Sequence, residues 1–428
     1  MSSPVVGPLV LALVILLAGC SGTGDEPSGA RSPSPSPSPS TPTTTSPTEP
    51  GRTLTGRPSP GPREQARLDA ALIEAAWDND VPRARRLVRS GADVNHQDET
   101  QQSAYLIATS EGFRDLLELT LRNGAEVNDK DSFNGTGLIR AAERGHAAVV
   151  GRLVQAGIDL DHVNNLGWTA LHEAVILGDG DASALETVRT LVAAGVDVTI
   201  PAVRDGRTAL QHASERGYDA IASVLERADR PMDRPGRRIL AAARDGDADG
   251  VALALRHGAR LEQRDSSRRT PLLLAVTGDH VEAAQVLLNL GADPDALDGQ
   301  HDTPWLVTGV TGSARMAELL LEFDPDLTIL NRFGGTSLIP ASERGHVAYV
   351  RRVVQTPIDV DHVNELGWTA LLEAVILGEG TRRWQQVVQI LLDAGADPTI
   401  PDRNGVTALE HARRSGHDEI ARLLARTG

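Results

Sequence analysis

Residues 161–180 read DHVNNLGWTALHEAVILGDG and residues 361–380 read DHVNELGWTALLEAVILGEG, identical at 17 of 20 positions and 200 residues apart. A shorter period runs inside each half. Gly91-Ala92-Asp93, Gly124-Ala125-Glu126 and Gly157-Ile158-Asp159 recur at 33-residue steps, as do Gly258-Ala259, Gly291-Ala292-Asp293, Asp324-Pro325-Asp326 and Pro357-Ile358-Asp359. A fixed period in this range marks a solenoid, whose units bury their apolar faces only against their neighbours. Such a chain presents a long open surface rather than an enclosed pocket, which directs attention to binding before catalysis.

The first 20 residues stand apart. Leu9 to Leu17 is an apolar run too short to span a bilayer comfortably, and it ends in Leu17-Ala18-Gly19-Cys20, small residues before a cysteine. This tetrad resembles the lipobox of bacterial lipoproteins, which implies lipidation of Cys20, the only cysteine in the chain, and an extracytoplasmic protein anchored to the cell membrane. Met1 to Pro8 carries no Lys or Arg, so plain secretion and an uncleaved anchor stay open beside it. Residues 21–62 alternate Ser and Pro, run through Thr43-Thr44-Thr45, and hold too few apolar groups to offset ordering entropy; they are expected to be a disordered tether. At roughly 3 Å per residue, a Pro-rich stretch of this length reaches about 100 Å.

The formal net charge is −16, and Arg31, Arg52 and Arg57 balance Asp25, Glu26 and Glu49, so all of it belongs to the repeats. An acidic surface disfavours nucleic acid and anionic lipid and favours a basic partner.

One unit shows how the repeat is built. Gly167-Trp168-Thr169-Ala170-Leu171-His172 opens it, with Gly suited to a turn and Thr to a helix cap. A short Ala-rich helix follows, then a second helix over Leu185–Ala194 with Val188, Leu191 and Val192 on one stripe, closed by Gly195. These motifs resemble the ankyrin repeat, and Thr270-Pro271-Leu272-Leu273-Leu274-Ala275 is nearest to its T-P-L-H-x-A core. The resemblance extends from residue 63 to the C-terminus and implies an all-α solenoid of about eleven helix-turn-helix units. Residues 63–229 hold about five and residues 230–428 about six. Pro231 and Pro235 lie in a shortened join, which fits either a tight continuous stack or a bend between two rigid arrays.

No catalytic constellation is present in the sequence, so no enzyme activity, cofactor or small-molecule substrate is expected. His172 occupies the fourth place of Thr-Ala-Leu-His, where the ankyrin resemblance implies an imidazole bonded to neighbouring backbone; its counterpart is Leu372. His212 and His411 are expected to pack between repeats. Asp159-Leu160-Asp161-His162 has ligand-type residues but overlies an ordinary repeat turn, so no metal is expected there.

The positions that the family leaves free for partners carry polar residues in most units, as at Glu143-Arg144, Glu215-Arg216 and Glu343-Arg344. In two units they do not. Trp168 with Ile176 and Leu177, and Trp368 with Ile376 and Leu377, place large apolar groups where solvent is expected, and Trp77 falls at the matching helix position of the first unit. In a chain with 3% aromatic residues, these are the candidate partner-binding residues. The same two units are 38 residues long, so their inserts near Gly180 and Gly380 offer another cover for the patch. The expected function is a tethered scaffold that binds another protein through its concave face. An enzyme with its site in the solenoid groove, or a surface protein without a specific partner, are the alternatives.

Overall fold

Thr at the start of most inner helices and left-handed residues in the turns that follow set the local structure. In the computed structural model, which describes residues 61–427, the Thr270 and Thr303 hydroxyls accept from the N–H groups of Leu273 and Leu306, each at 3.1 Å. The described residues form 22 helices and no named strand. Cys20 and residues 21–60 of the tether lie outside the described residues, and Pro62, its last residue, already opens the first helix. Among those described, no helix is long and apolar enough to cross a membrane.

The helices form eleven inner–outer pairs. The first five are α1 (Pro62–Trp77) with α2 (Val81–Arg89), α3 (Ala104–Glu111) with α4 (Arg114–Arg122), α5 (Gly137–Glu143) with α6 (Ala147–Gln155), α7 (Ala170–Ile176) with α8 (Ala182–Ala194), and α9 (Ala209–Arg216) with α10 (Asp219–Ala228). The other six are α11 (Pro235–Asp245) with α12 (Ala248–Arg256), α13 (Pro271–Thr277) with α14 (Val281–Asn289), α15 (Pro304–Thr311) with α16 (Ala314–Leu321), α17 (Leu338–Glu343) with α18 (Val347–Val353), α19 (Ala370–Ile376) with α20 (Arg382–Asp393), and α21 (Ala408–Arg414) with α22 (Asp418–Thr427). Finger-like turns join one pair to the next, pinned by short bridges such as Lys130 with Thr136 and Pro201 with Thr208. Trp305 is fully buried at the start of α15, as its place in Thr-Pro-Trp-Leu implies.

Inner helices stack rung on rung from α1 to α9 and again from α11 to α21. Between α9 and α11 the ladder changes. Instead, α12 packs on α8 and α10, and α14 packs on α6 and α8. Further along, Arg114 at the start of α4 meets Glu322, just past α16, at 3.4 Å and lies 4.3 Å from the centre of the Phe323 ring. Later units of the second array thus meet earlier units of the first. The chain doubles back, and the two arrays pack antiparallel through their outer helices. The join is thus not a continuous stack but a bend sharp enough to lay one array against the other.

The residues at this seam explain why it is covered. Thr187 and Thr190 on α8 and Asn289 at the end of α14 are buried, positions that water would reach in a single solenoid. Asn289 donates from Nδ2 to Glu186 Oε1 at 3.0 Å and to Thr190 Oγ1 at 3.2 Å, while its carbonyl accepts from Gln155 Nε2 at 3.0 Å. Arg189 Nε donates to Asp249 at 2.7 Å, and Arg256 ties the join by donating to the carbonyls of Val196 and Ala228 at 2.7 and 2.9 Å. Arg234 takes a left-handed φ of 52° immediately before Pro235, which turns the chain into α11. With outer helices inside the seam, the inner-helix faces lie on opposite sides of the molecule.

Candidate protein-interaction surface

The finger that carries Trp168 is locked from beneath. Asn164 Oδ1 accepts from the N–H groups of Leu166 and Trp168 at 3.0 and 3.1 Å, and its Nδ2 donates to Glu173 Oε1 at 2.6 Å. The second array repeats the device: Asn364 holds Leu366 and Trp368, both at 3.0 Å, and donates to Glu373 at 2.9 Å. Both glutamates are buried on inner helices α7 and α19. Burial pushes each carboxyl up to about 7; Glu143 adds to this at Glu173 and Glu343 at Glu373, while the bond from Asn164 or Asn364 opposes it.

Neighbouring fingers are bonded into a row. The Phe133 carbonyl accepts from Asn165 N at 3.0 Å, and the Gly167 carbonyl from Val203 N at 3.0 Å. In the second array the Phe333 carbonyl accepts from Glu365 N at 2.9 Å. Phe133 and Phe333 are 54% and 50% exposed on these fingers, with the Arg140 and Arg332 guanidinium groups 5.3 and 4.7 Å from their ring centres. Val203 and Leu366 add further exposed apolar surface to the same rows.

The sequence candidates divide in two. Trp168 and Trp368 sit on fingers and are half-buried, as are Ile176 and Ile376; only Leu177 and Leu377, each 48% exposed, and Trp77 are open as expected. The reason is packing: Trp368 and Ile376 rest on the core of the second array. Leu177 lies at the far end of α7 from Trp168, about 10 Å along the helix at 1.5 Å per residue, so the two mark opposite ends of a strip. The inserts lengthen the outer helices, α8 to 13 residues and α20 to 12, and their turns lean on the following unit. Tyr218 Oη donates to the Gly178 carbonyl at 3.2 Å, and the turn at Gly380 lies against His417.

Phe133 and Phe333 were not among the sequence candidates. Their signal was available, since the 200-residue offset that pairs Trp168 with Trp368 also pairs these two.

The histidines are occupied by structure. His172 Nδ1 faces the Thr169 hydroxyl at 2.9 Å and its Nε2–H donates to the Arg207 carbonyl of the next finger at 3.2 Å, while burial holds its pKa below the ordinary value. His212 lies edge-on to it with ring centres 6.2 Å apart. His411 Nε2 is 3.0 Å from Asp402 of its own unit. His162 Nε2 bonds the Asn134 carbonyl at 2.8 Å, which commits the ring to the neighbouring finger. No group of His, Cys, Asp and Glu side chains suited to a metal occurs among the described residues.

Known proteins share this repeat. The model for ankyrin repeats in three copies matches residues 72–162, 105–202, 138–234 and 305–402, well over half of the chain, and the single ankyrin repeat model matches residues 267–299. The chain belongs to the ankyrin repeat family. A 57-residue stretch is 47% identical to the ankyrin repeat protein YahD of Escherichia coli K12, covering 13% of this ankyrin chain and 28% of that relative. An ankyrin repeat domain of Acinetobacter baumannii AYE is 42% identical over 44% of this chain and 97% of its own, with a TM-score of 0.43. The ankyrin repeat protein EF0377 is 36% identical over 45% of this chain and 98% of its own, also with a TM-score of 0.43. Ankyrin repeats generally serve protein–protein interaction and typically form non-catalytic scaffolds.

Proposed function

We propose that this ankyrin chain is an extracytoplasmic scaffold, anchored to the membrane by lipid on Cys20, that binds a partner protein along its fingers and inner helices and carries no catalysis. The observation that carries the reading is the paired row of aromatic residues, Phe133 with Trp168 and Phe333 with Trp368, on fingers bonded to one another and to buried carboxylates. Aromatic side chains on a rigid, partly exposed surface are the usual anchors of an interface, and a surface already ordered loses little entropy on binding. The −16 charge favours a basic partner and opposes nucleic acid. Because the inner-helix faces lie on opposite sides, the duplicated rows suit two copies of one partner better than a single small one.

The anchor rests on Leu17-Ala18-Gly19-Cys20 and the Ser/Pro-rich stretch that follows. Mass spectrometry of the N-terminal peptide, with fractionation of Cys20→Ser, tests it. An acylated Cys20 and loss of membrane association in the variant support the anchor, and unchanged fractionation contradicts it. Release of the parent chain into the medium would mean plain secretion. Crosslinking from intact cells tests the binding surface: a reproducible protein partner lost from Phe133→Ala/Trp168→Ala supports it, and retention of the same partner contradicts it.

A further inference from the structure

The two 38-residue units are near-copies, yet they differ sharply where the insert enters the outer helix. The second array reads Thr381-Arg382-Arg383-Trp384; the first reads Asp181-Ala182-Ser183-Ala184. In the second array these side chains plug the space between the ends of α17 and α19. Trp384 is buried, and its Nε1–H donates to the Glu343 carbonyl at 2.9 Å. Arg383 lies over the same indole, 5.3 Å from its ring, and its Nε donates to the Gly345 carbonyl at 2.7 Å. Gly345 has room for this because it lacks a β-carbon, which would come within 2.8 Å of that Nε.

The first array keeps the frame and omits the plug. Gly145 stands where Gly345 does, with φ of 73° against 66°, but Ser183 Oγ takes the place of the guanidinium and Ala184 that of the indole. A groove of about 190 Å³ remains between the ends of α5 and α7 and the start of α8, lined by Glu143, Leu177, Asp179, Asp181, Ser183 and Ala184 among others. That is the bulk volume of about six waters, room for one flat ring. Its charge has moved in the same direction: an arginine is lost at position 183, and an aspartate is gained at 181 where the second array has threonine. Arg144, the cation at the rim, is taken by Glu111.

We propose that this groove is a receptor for an arginine–aromatic pair presented by a partner protein. The ring enters beside Ala184, where Trp384 sits in the other array, and the guanidinium lies over Gly145 near Asp179 and Asp181. The second array closes the equivalent space with its own residues, so the site is single and belongs to the first array. This extends the protein-binding reading and rests on it, adding a chemical class of side chains to a surface whose other end is the finger row.

The test is calorimetric titration of the full chain with the peptide acetyl-Thr-Arg-Arg-Trp-Gln-Gln-amide, the sequence that fills the second array. Saturable binding of one peptide per chain is expected, with none for the version carrying Ala in place of both Arg and Trp. Ser183→Arg/Ala184→Trp, which plugs the groove as the second array does, should weaken binding at least tenfold while keeping or raising the thermal midpoint. Should that variant fold poorly, Asp179→Asn/Asp181→Asn gives an independent reading, since Asn preserves the helix cap; a several-fold, salt-sensitive loss is expected. Absence of saturation, or binding by the plugged and the Asn variants equal to that of the parent chain, overturns the proposal. The peptide titration reads the groove and crosslinking of Phe133→Ala/Trp168→Ala reads the finger row, so failure of the one and failure of the other give different results.

Discussion

Gly151 on α6 lies against the backbone carbonyl of Asn289 on α14, so close that a β-carbon there would sit 2.0 Å from the oxygen. The two residues are 138 apart in sequence and belong to different arrays. Their contact fixes how the chain doubles back.

Gly151→Ala is therefore expected to destabilise the chain by roughly 1–3 kcal/mol or more, because the obstacle is backbone rather than a movable side chain. Chemical denaturation and small-angle scattering measure it together. The variant should unfold earlier and show a larger radius as the seam opens. An unaltered Gly151→Ala would mean that the arrays are not held at this point.

Glu173 and Glu373 give the chain a pH dependence whose sign is fixed. Both carboxyls are pushed up to about 7, first by burial, with Glu143, Asp131 and Arg140 facing the former and Glu343 and Arg344 the latter. An acid whose pKa is higher folded than unfolded binds more protons in the folded state between about 4.5 and 7. Its stabilising contribution is complete below that window and is lost as pH rises through it. Glu173→Gln and Glu373→Gln should each gain on the order of 1–3 kcal/mol at pH 8 relative to the parent and close to nothing at pH 4. Urea midpoints at the two pH values decide it; equal gains at both would remove titration as the cause.

Asn164→Ala removes the acceptor for two finger N–H groups and the donor to Glu173 at once. An unmade buried hydrogen bond costs roughly 1–3 kcal/mol, so the loss should be at least that. Hydrogen exchange should rise at Leu166 and Trp168 and leave the Asn364 finger protected. Uniform loosening across both arrays would contradict a local lock.

Much of this was legible in the sequence because it is periodic. Thr169 and Gly195 mark the ends of their unit by cap chemistry alone, and the 33-residue step counts the units. What was not legible is contact between residues with no sequence relation. Gly151, Thr187 and Asn289 look like unremarkable outer-helix positions, since nothing local distinguishes a face that meets solvent from one that meets another array. The candidate surface was half legible. Trp168 stood out by its rarity, while Phe133 needed the finger geometry to show that its ring is the more open of the two. The open groove beside Ala184 shows only by comparison with Trp384, whose indole fills the duplicate.

The central claim, that the finger rows are where a protein partner binds, is tested most directly by measuring partner affinity and thermal midpoint together for Phe133→Ala/Trp168→Ala and for Phe333→Ala/Trp368→Ala. Truncation of an interface anchor typically costs about 2 kcal/mol or more in binding. The account predicts a loss of affinity of at least about thirtyfold, or loss of one of two bound partners, in addition to a modest drop in midpoint from the packed edges of Trp168 and Trp368. A lowered midpoint with affinity intact would contradict it, and would mean that these rings serve the fold alone.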